Sequence, residues 1–369
     1  MLTKADDYPI HQTPDPVAFA GTDRNFYDRY FFNGYTRTGD VFFSAALGVY
    51  PQLNITDASF CLVHKGVQHN VHASRHLGME RLDTEVGPIK VTVLEPLRSL
   101  RVTVDSNDQG ITADLTFHAR AVPVQEPRFT RRNGPRVFMD VTRMTQNGTW
   151  EGWIEIAGER IDVSRDQYVG TRDRSWGVRP VGAPDAQPLA PAMPPQFYWL
   201  WAPLNFDDRI TLFHQNDDAA GDSWNISGVM CGLDGAEPEK MEKSRAEITY
   251  LPGSRYAKSA TIFFDHKSGG QTRIDLTPKW NFYMLGLGYG HPDWTHGGHK
   301  GPLVVGGESF KLSDITSYHP PHLHIQAFVT ATLTSPDGTT RDGCGVLEQL
   351  IIGPHAPSGF KDVLDPYEG

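Results

Sequence analysis

The run Gly170-Thr171-Arg172-Asp173-Arg174-Ser175-Trp176-Gly177 gathers arginines, a carboxylate and an indole between glycines. In an extended chain Arg172, Arg174 and Trp176 share one face, and Asp173 and Ser175 the other. Facing a cavity, Asp173 can donate or accept a proton and an arginine can hold an anionic or carbonyl oxygen. The same residues also suit an ion-pair cluster that fastens two domains. Downstream, Phe197 to Phe206 is apolar or aromatic at both alternating sets of positions. The pattern predicts a strand covered on both sides, one face toward a barrel lumen and the other toward a neighbouring layer. Tyr198, Trp199 and Trp201 are therefore candidates for lining a hydrophobic pocket and shielding positive charge, or for filling the core. His214 alternates with Ile210 and Leu212, which predicts an apolar environment where it is a candidate catalytic base or acid with a pKa lowered by burial, or a satisfied core residue.

Histidines concentrate in the last third, with His291, His296 and His299 in a Gly-rich loop and His319, His322 and His324 after it. His322 and His324 are expected on one strand face with Gln326, where they could converge on a site. No carboxylate stands at a diagnostic spacing and no His-Glu-x-x-His motif occurs, so no metal is assigned, and loop histidines exposed to solvent are the alternative. The chain has no nucleophile elbow, phosphate-binding loop or dinucleotide fingerprint, which argues against serine hydrolases and nucleotide or dinucleotide enzymes. No cofactor is expected.

These residues need elements to hold them. The 36 glycines and 27 prolines are spread along 369 residues, leaving no room for long amphipathic helices, so an all-β chain is predicted. Ile89 to Leu94, Leu100 to Val104 and Ile111 to Phe117 read as a meander. Asn147-Gly148 suggests a tight turn between strands at Val137 to Met144 and Trp150 to Ile156, and Asp337-Gly338 one between Ala327 to Thr334 and Gly345 to Ile352. Brief helices are expected near Phe26 to Phe31 or at the C-terminus. The six prolines between Pro180 and Pro195 cannot continue a sheet interior. The expected division is residues 1–179, a connector at 180–195, and residues 196–369, each half a barrel or sandwich.

A net charge of −10 disfavours broad attraction to nucleic acid or to an anionic membrane. A small hydrophobic molecule is the favoured partner. The first residues lack the pattern of a signal peptide, no stretch has membrane-spanning length, and three scattered cysteines make no disulfide framework. Cytoplasm is the expected compartment, and a dimer through exposed strand edges or the proline-rich segment is an open option.

Taken together, Tyr30-Phe31-Phe32-Asn33-Gly34, the Arg172 to Gly177 run and the Phe197 to Phe206 strand resemble the AttH-like and carotenoid 1,2-hydratase (CrtC) superfamily. The resemblance implies two lipocalin-like β-barrels in tandem. It also implies chemistry of the kind found there: hydration of isoprenoid double bonds, the kievitone hydratase type, and fungal pericyclases. The carotenoid hydratases carry Asp-His-Asn-Trp-Gly, matched here by Asp173, Trp176 and Gly177, while Arg174 and Ser175 replace the His and Asn.

The function expected is that of a cofactor-independent lyase or isomerase, of hydratase or dehydratase type, acting on an isoprenoid, steroid or polyketide-like molecule. Asp173 would move the proton, Arg174 would polarise an oxygen, and Trp176 with the downstream aromatics would shape the pocket. A pericyclase that only orders a reactive chain, or a lipid carrier without chemistry, are the alternatives.

Overall fold

Strands form where branched and aromatic residues alternate between glycine turns. In the computed structural model, which describes every residue except 20, 188, 189, 191, 193, 234, 316 and 317, they build two antiparallel sheets, with no α-helix among the described residues. The first sheet has fourteen strands and curls into a nearly closed barrel; the second has nine and forms a more open half-barrel. The interior of the first is filled by residues such as Phe43, Phe60, Phe117 and Trp150. That of the second is filled by Phe206, Phe213, Phe264 and Leu333, among others. No helix among the described residues is long and apolar enough to cross a membrane.

Between the barrels lies a seam with its own apolar cluster, where Phe31, Tyr35 and Phe42 of the first meet Trp199, Trp201, Phe282 and Phe328 of the second. Two neighbouring strands of the first sheet face it, Phe26–Thr36 and Tyr168–Val178, with Arg136–Ile156 beside them. On the other side stand Phe197–Phe206, His324–Thr334 and Thr340–Ile352. The Phe197–Phe206 strand is covered twice, as its sequence predicts: Tyr198, Leu200 and Ala202 point into the second barrel, Trp199 and Trp201 into the seam.

The meander forms, and so does the hairpin around Asp337-Gly338, where Gly338 takes a φ of 83°. Asn147-Gly148 makes no turn. It lies inside one 21-residue strand, Arg136–Ile156, in register with Thr171 and Gly170. The glycine is there for clearance, since a Cβ at Gly148 would meet the Phe117 ring at 2.3 Å. Phe26 to Phe31, read as a possible helix, is strand, paired on both sides.

The chain crosses between barrels twice more than a cut at residues 180–195 allows. Leu303–Lys311 leaves the second half and pairs with Val67–His76 at the edge of the first sheet. Within the connector, Pro188 and Pro191 lie outside the described residues, and the described residues of 180–195 contain no strand.

Candidate functional site

Register builds the site. Residues directly opposite in an antiparallel pair share a face, and Phe31 pairs with Asp173, Arg29 with Ser175, and Ser175 with Arg143. All five side chains therefore point into the seam. Facing them, Trp199 is opposite Leu350, Trp201 opposite Glu348, and His324 opposite Leu350. These residues, with Tyr27, Phe197, Met284, Tyr289 and Arg179, enclose a cavity of about 360 Å³, within the range that holds a small molecule.

The walls are organised around two buried carboxylates. Glu126 accepts hydrogen bonds from Thr145 Oγ1 (2.6 Å), Trp201 Nε1 (3.2 Å) and Arg143 Nε (2.9 Å), with His214 Nδ1 at 3.3 Å. Burial alone would raise its carboxyl, but Arg143 and His214 outweigh that and hold it at about 2. Glu348 accepts from His324 Nε2 (2.8 Å), Trp199 Nε1 (2.9 Å) and Gln326 Nε2 (2.7 Å). Its carboxyl too is lowered against burial, by His324 and these hydrogen bonds. The Arg143 guanidinium lies over both tryptophan rings, 4.7 Å from Trp199 and 5.7 Å from Trp201. Those π faces are thus already in use by a cation.

Asp173 is the exception. Burial pushes its carboxyl up to about 7, opposed by Arg143 and Arg29 and reinforced by Glu126, and its Oδ1 has no hydrogen-bond partner in the protein. Three more buried atoms on the cavity wall are in the same condition: Arg29 Nε, Arg179 Nε and His324 Nδ1. Buried polar atoms are ordinarily paired, so this concentration marks where something other than protein is accommodated.

The alternation expected for residues 170–177 holds. Asp173 and Ser175 line the cavity, whereas Arg174 and Trp176 are on the opposite side of the strand. Arg174 pairs with Asp28 (2.7 Å) and lies 3.9 Å over the Tyr30 ring, and Trp176 is 39% exposed. Neither can reach a molecule in the cavity, because strand alternation turns them away from it. Tyr198 is inside the second barrel, bonded to Tyr250 and stacked 3.9 Å from His355. His214 is buried behind Trp199 (6.0 Å between rings), its pKa lowered by burial, and supports the site through Glu126 without lining it. His322 does not share a strand face with His324: it closes the short 3₁₀ turn Pro320–His322, which prolines start, and packs on Tyr283.

Sequence reasoning missed Arg29, Arg143, Arg179, Tyr289 and Glu348. A signal for Glu348 exists in the lone charge of the otherwise uncharged Cys344 to Ile352 stretch, and one for Arg29 in its alternation with Tyr27 and Phe31. The loop histidines are not all solvated either, since His291 and His296 are buried. His72, His291 and Glu308 present ligand-type atoms within 4.8 Å of one another. However, His291 Nδ1 accepts the backbone N–H groups of Asp293 (2.9 Å) and Trp294 (3.0 Å). Its Nε2 therefore carries the proton and faces Glu308 at 3.6 Å, a donor and not a metal lone pair. The trio reads as a fastening for the crossing strand, which carries Glu308.

Among solved structures, the chain is similar to an AttH-like protein of Nitrosomonas europaea, with a TM-score of 0.55 and 13% identity over 93% of this chain and 98% of that one. It is similar to kievitone hydratase of Nectria haematococca, with a TM-score of 0.54 and 13% identity over 88% of each chain. CghA in complex with Sch210972 gives a TM-score of 0.51 and 10% identity over 89% of each. These likenesses show the fold, two lipocalin-like β-barrels in tandem. No curated protein matches the sequence. One family model matches nearly end to end, over residues 2–361, and the chain belongs to that family of unknown function, DUF8625.

Proposed function

We propose that the cavity in the seam carries out cofactor-independent acid–base chemistry on a small hydrophobic molecule, hydrating, dehydrating or shifting a carbon–carbon double bond, with Asp173 giving and taking the proton. The observation that carries this reading is Asp173 itself. It is a carboxyl with one unpaired oxygen on an aromatic cavity wall, with a pKa near the working range of a general acid. Next to it stand carboxylates held ionised by their partners, and separation of two carboxylates by environment is how acid and base roles are divided. The similarity to a hydratase of the same fold supports it.

In the hydration direction the Asp173 proton adds to one alkene carbon, water adds to the other, and the surplus proton of that water returns to the carboxylate. Net water is gained and the acid is regenerated. In an isomerisation the proton leaves one carbon and returns to another through the same carboxyl. Arg29, Arg143 and Arg179 all border the cavity, so charge developing on the substrate is stabilised better when it is negative, as in an enolate, than when it is a carbocation. Trp199 and Trp201, already covered by Arg143, shape the wall; this replaces the cation-shielding role expected of them. Isoprenoid, steroid or polyketide-like bodies all fit such a lining in character.

The test is to incubate the protein with a lipophilic cell extract in ¹⁸O-labelled deuterated water and follow masses. Gain of ¹⁸O identifies hydration, and deuterium without ¹⁸O identifies isomerisation. Both should vanish in Asp173→Asn. An isomeric product free of either label, formed equally by Asp173→Asn, would replace this reading with that of a cyclase, and ligands retained unchanged would replace it with that of a carrier.

A further inference from the structure

The charges around the cavity do not cancel. Arg143 is closed by Glu126, and Glu348 is engaged by hydrogen bonds from His324 (2.8 Å), Trp199 and Gln326, while Asp173 is held toward its neutral form by burial. Arg29 and Arg179 remain. Among the described residues neither has a carboxylate within ion-pair distance, and every partner they have is neutral. Arg29 donates from Nη1 to the Tyr289 hydroxyl (2.6 Å) and from Nη2 to the Leu287 carbonyl (3.0 Å). Arg179 donates from Nη2 to His296 Nδ1 (3.1 Å) and lies over the rings of Tyr27 (4.4 Å) and Tyr289 (5.5 Å). His296 supplies no charge of its own: its Nε2–H is committed to the Leu287 carbonyl (2.6 Å), and burial pushes its pKa well down. The acid that feels both arginines, Asp57, is engaged by the Gly297 N–H (2.7 Å) and the Tyr50 hydroxyl (3.1 Å), and burial lifts it to about 6.

Arg29 is 3% exposed, and the Nε–H of each arginine is buried without an acceptor. Burying a guanidinium without a counter-ion is costly, and an anion bound beside it offsets that cost. Arg172 also lacks a carboxylate partner but borders neither the inner cavity nor the outer chamber described next, lying instead over the Phe117 ring within the first barrel.

Position adds a direction. Arg179, Pro180 and Tyr289 line the inner cavity and also a larger outer chamber of about 670 Å³ beneath residues 180–185. Arg179 thus sits at the neck between them and Arg29, which shares the Tyr289 ring with it, just inside, with the apolar lining of Phe31, Trp201, Met284 and Leu350 farther in. We infer that Arg29 and Arg179 form a subsite for a carboxylate carried by the substrate, so that this protein acts on amphiphilic acids whose apolar body fills the seam and whose carboxylate stays at the neck. A planar carboxylate suits two guanidinium edges, each offering a free Nε–H. This assignment names the substrate class for the acid–base reading above and rests on that reading for its chemistry, though not for the binding itself.

Binding is therefore the measurement. Dodecanoate, methyl dodecanoate and dodecyl phosphate are titrated into the full chain, with the fluorescence of cavity tryptophans and calorimetry as readouts. Dodecanoate should bind roughly ten- to a hundredfold tighter than its methyl ester, as expected for charge-assisted hydrogen bonds. Arg29→Gln and Arg179→Met should each erase most of that preference, with the thermal midpoint of each variant reporting on the fold. Equal affinity for acid and ester in the native protein, including no affinity for either, overturns the subsite. A preference for acid that survives in both variants overturns its placement, and tighter binding of dodecyl phosphate overturns the choice of carboxylate. Label incorporation needs no knowledge of the head group, so failure here and failure of the Asp173 chemistry are separately visible.

Discussion

Glu348–His324 and Asp217–His355 are the same chemical pair, buried in the same half of the chain, but only the first borders open space. Asp217 takes hydrogen bonds from Gln215 (2.7 Å), Ser223 (2.5 Å) and His355 Nε2 (3.2 Å). His355 Nδ1 meets Ser358 Oγ (2.7 Å), which continues to the Tyr250 and Tyr198 hydroxyls. The aspartate, histidine and serine read like a nucleophile chain, yet each polar atom is spent on another, and the imidazole is capped by the Tyr198 ring at 3.9 Å. In the seam, by contrast, His324 Nδ1, Asp173 Oδ1 and two arginine Nε atoms are left unpaired around a cavity. A satisfied polar network rigidifies a core; an unsatisfied one beside a void is ready for a ligand.

Mutations in the two regions should therefore fail differently. The largest effect is expected from Asp173→Asn, which should lower conversion by about 10²- to 10⁴-fold while retaining ligand, as measured by product formation and co-purified mass. Asp217→Asn should cost about 3 kcal/mol of unfolding free energy in denaturant titration, since it breaks a buried charged network, and leave conversion by the folded protein unchanged. If Asp217→Asn abolished conversion in the folded protein, the comparison would be reversed and Ser358 would need reconsideration. Glu348→Gln should lower turnover of the folded protein by about tenfold and also cost about 3 kcal/mol of unfolding free energy, because it breaks a buried pair of the same kind and sets an amide nitrogen against a donor.

The smallest effect is in the pH dependence of stability. Asp173 keeps its proton up to about pH 7 in the native state, whereas in an unfolded chain it ionises near pH 4. Between these values the native state holds the extra proton, so stability contributed by this group falls as pH rises from about 4 to 7. Asp173→Asn should flatten that slope in thermal melts across the window. A slope unchanged by the substitution would mean that Asp173 is ionised in the fold and unsuited to act as an acid near neutrality.

Alternation is the part of this site that the sequence makes legible. The period of two in residues 170–177 separates Asp173 and Ser175 from Arg174 and Trp176, and the doubly apolar Phe197 to Phe206 stretch announces a strand covered on both sides. Which of its two faces holds ligand is not legible, because barrel interior and seam are equally apolar in composition. The pocket is in the seam, so Trp199 and Trp201 line it and Tyr198 does not. Arg29, Arg143, Arg179 and Glu348 come from separate strands and strand ends, and only pairing register brings them together. Asn147-Gly148 misleads for a related reason: a dipeptide that suits a turn equally suits a crowded strand, and the nearby Phe117 ring decides between them.

The strand Leu303–Lys311, borrowed by the first sheet from the second half of the chain, also constrains how the molecule is made. During synthesis the first barrel emerges with the Val67–His76 edge unpaired, and that edge stays open to other chains until Lys311 has left the ribosome. The two halves are thus obliged to mature together, and a fragment ending at the proline-rich connector is expected to be aggregation-prone. The seam cavity acquires both its walls only in the same late step, so neither half can acquire the binding site before the other.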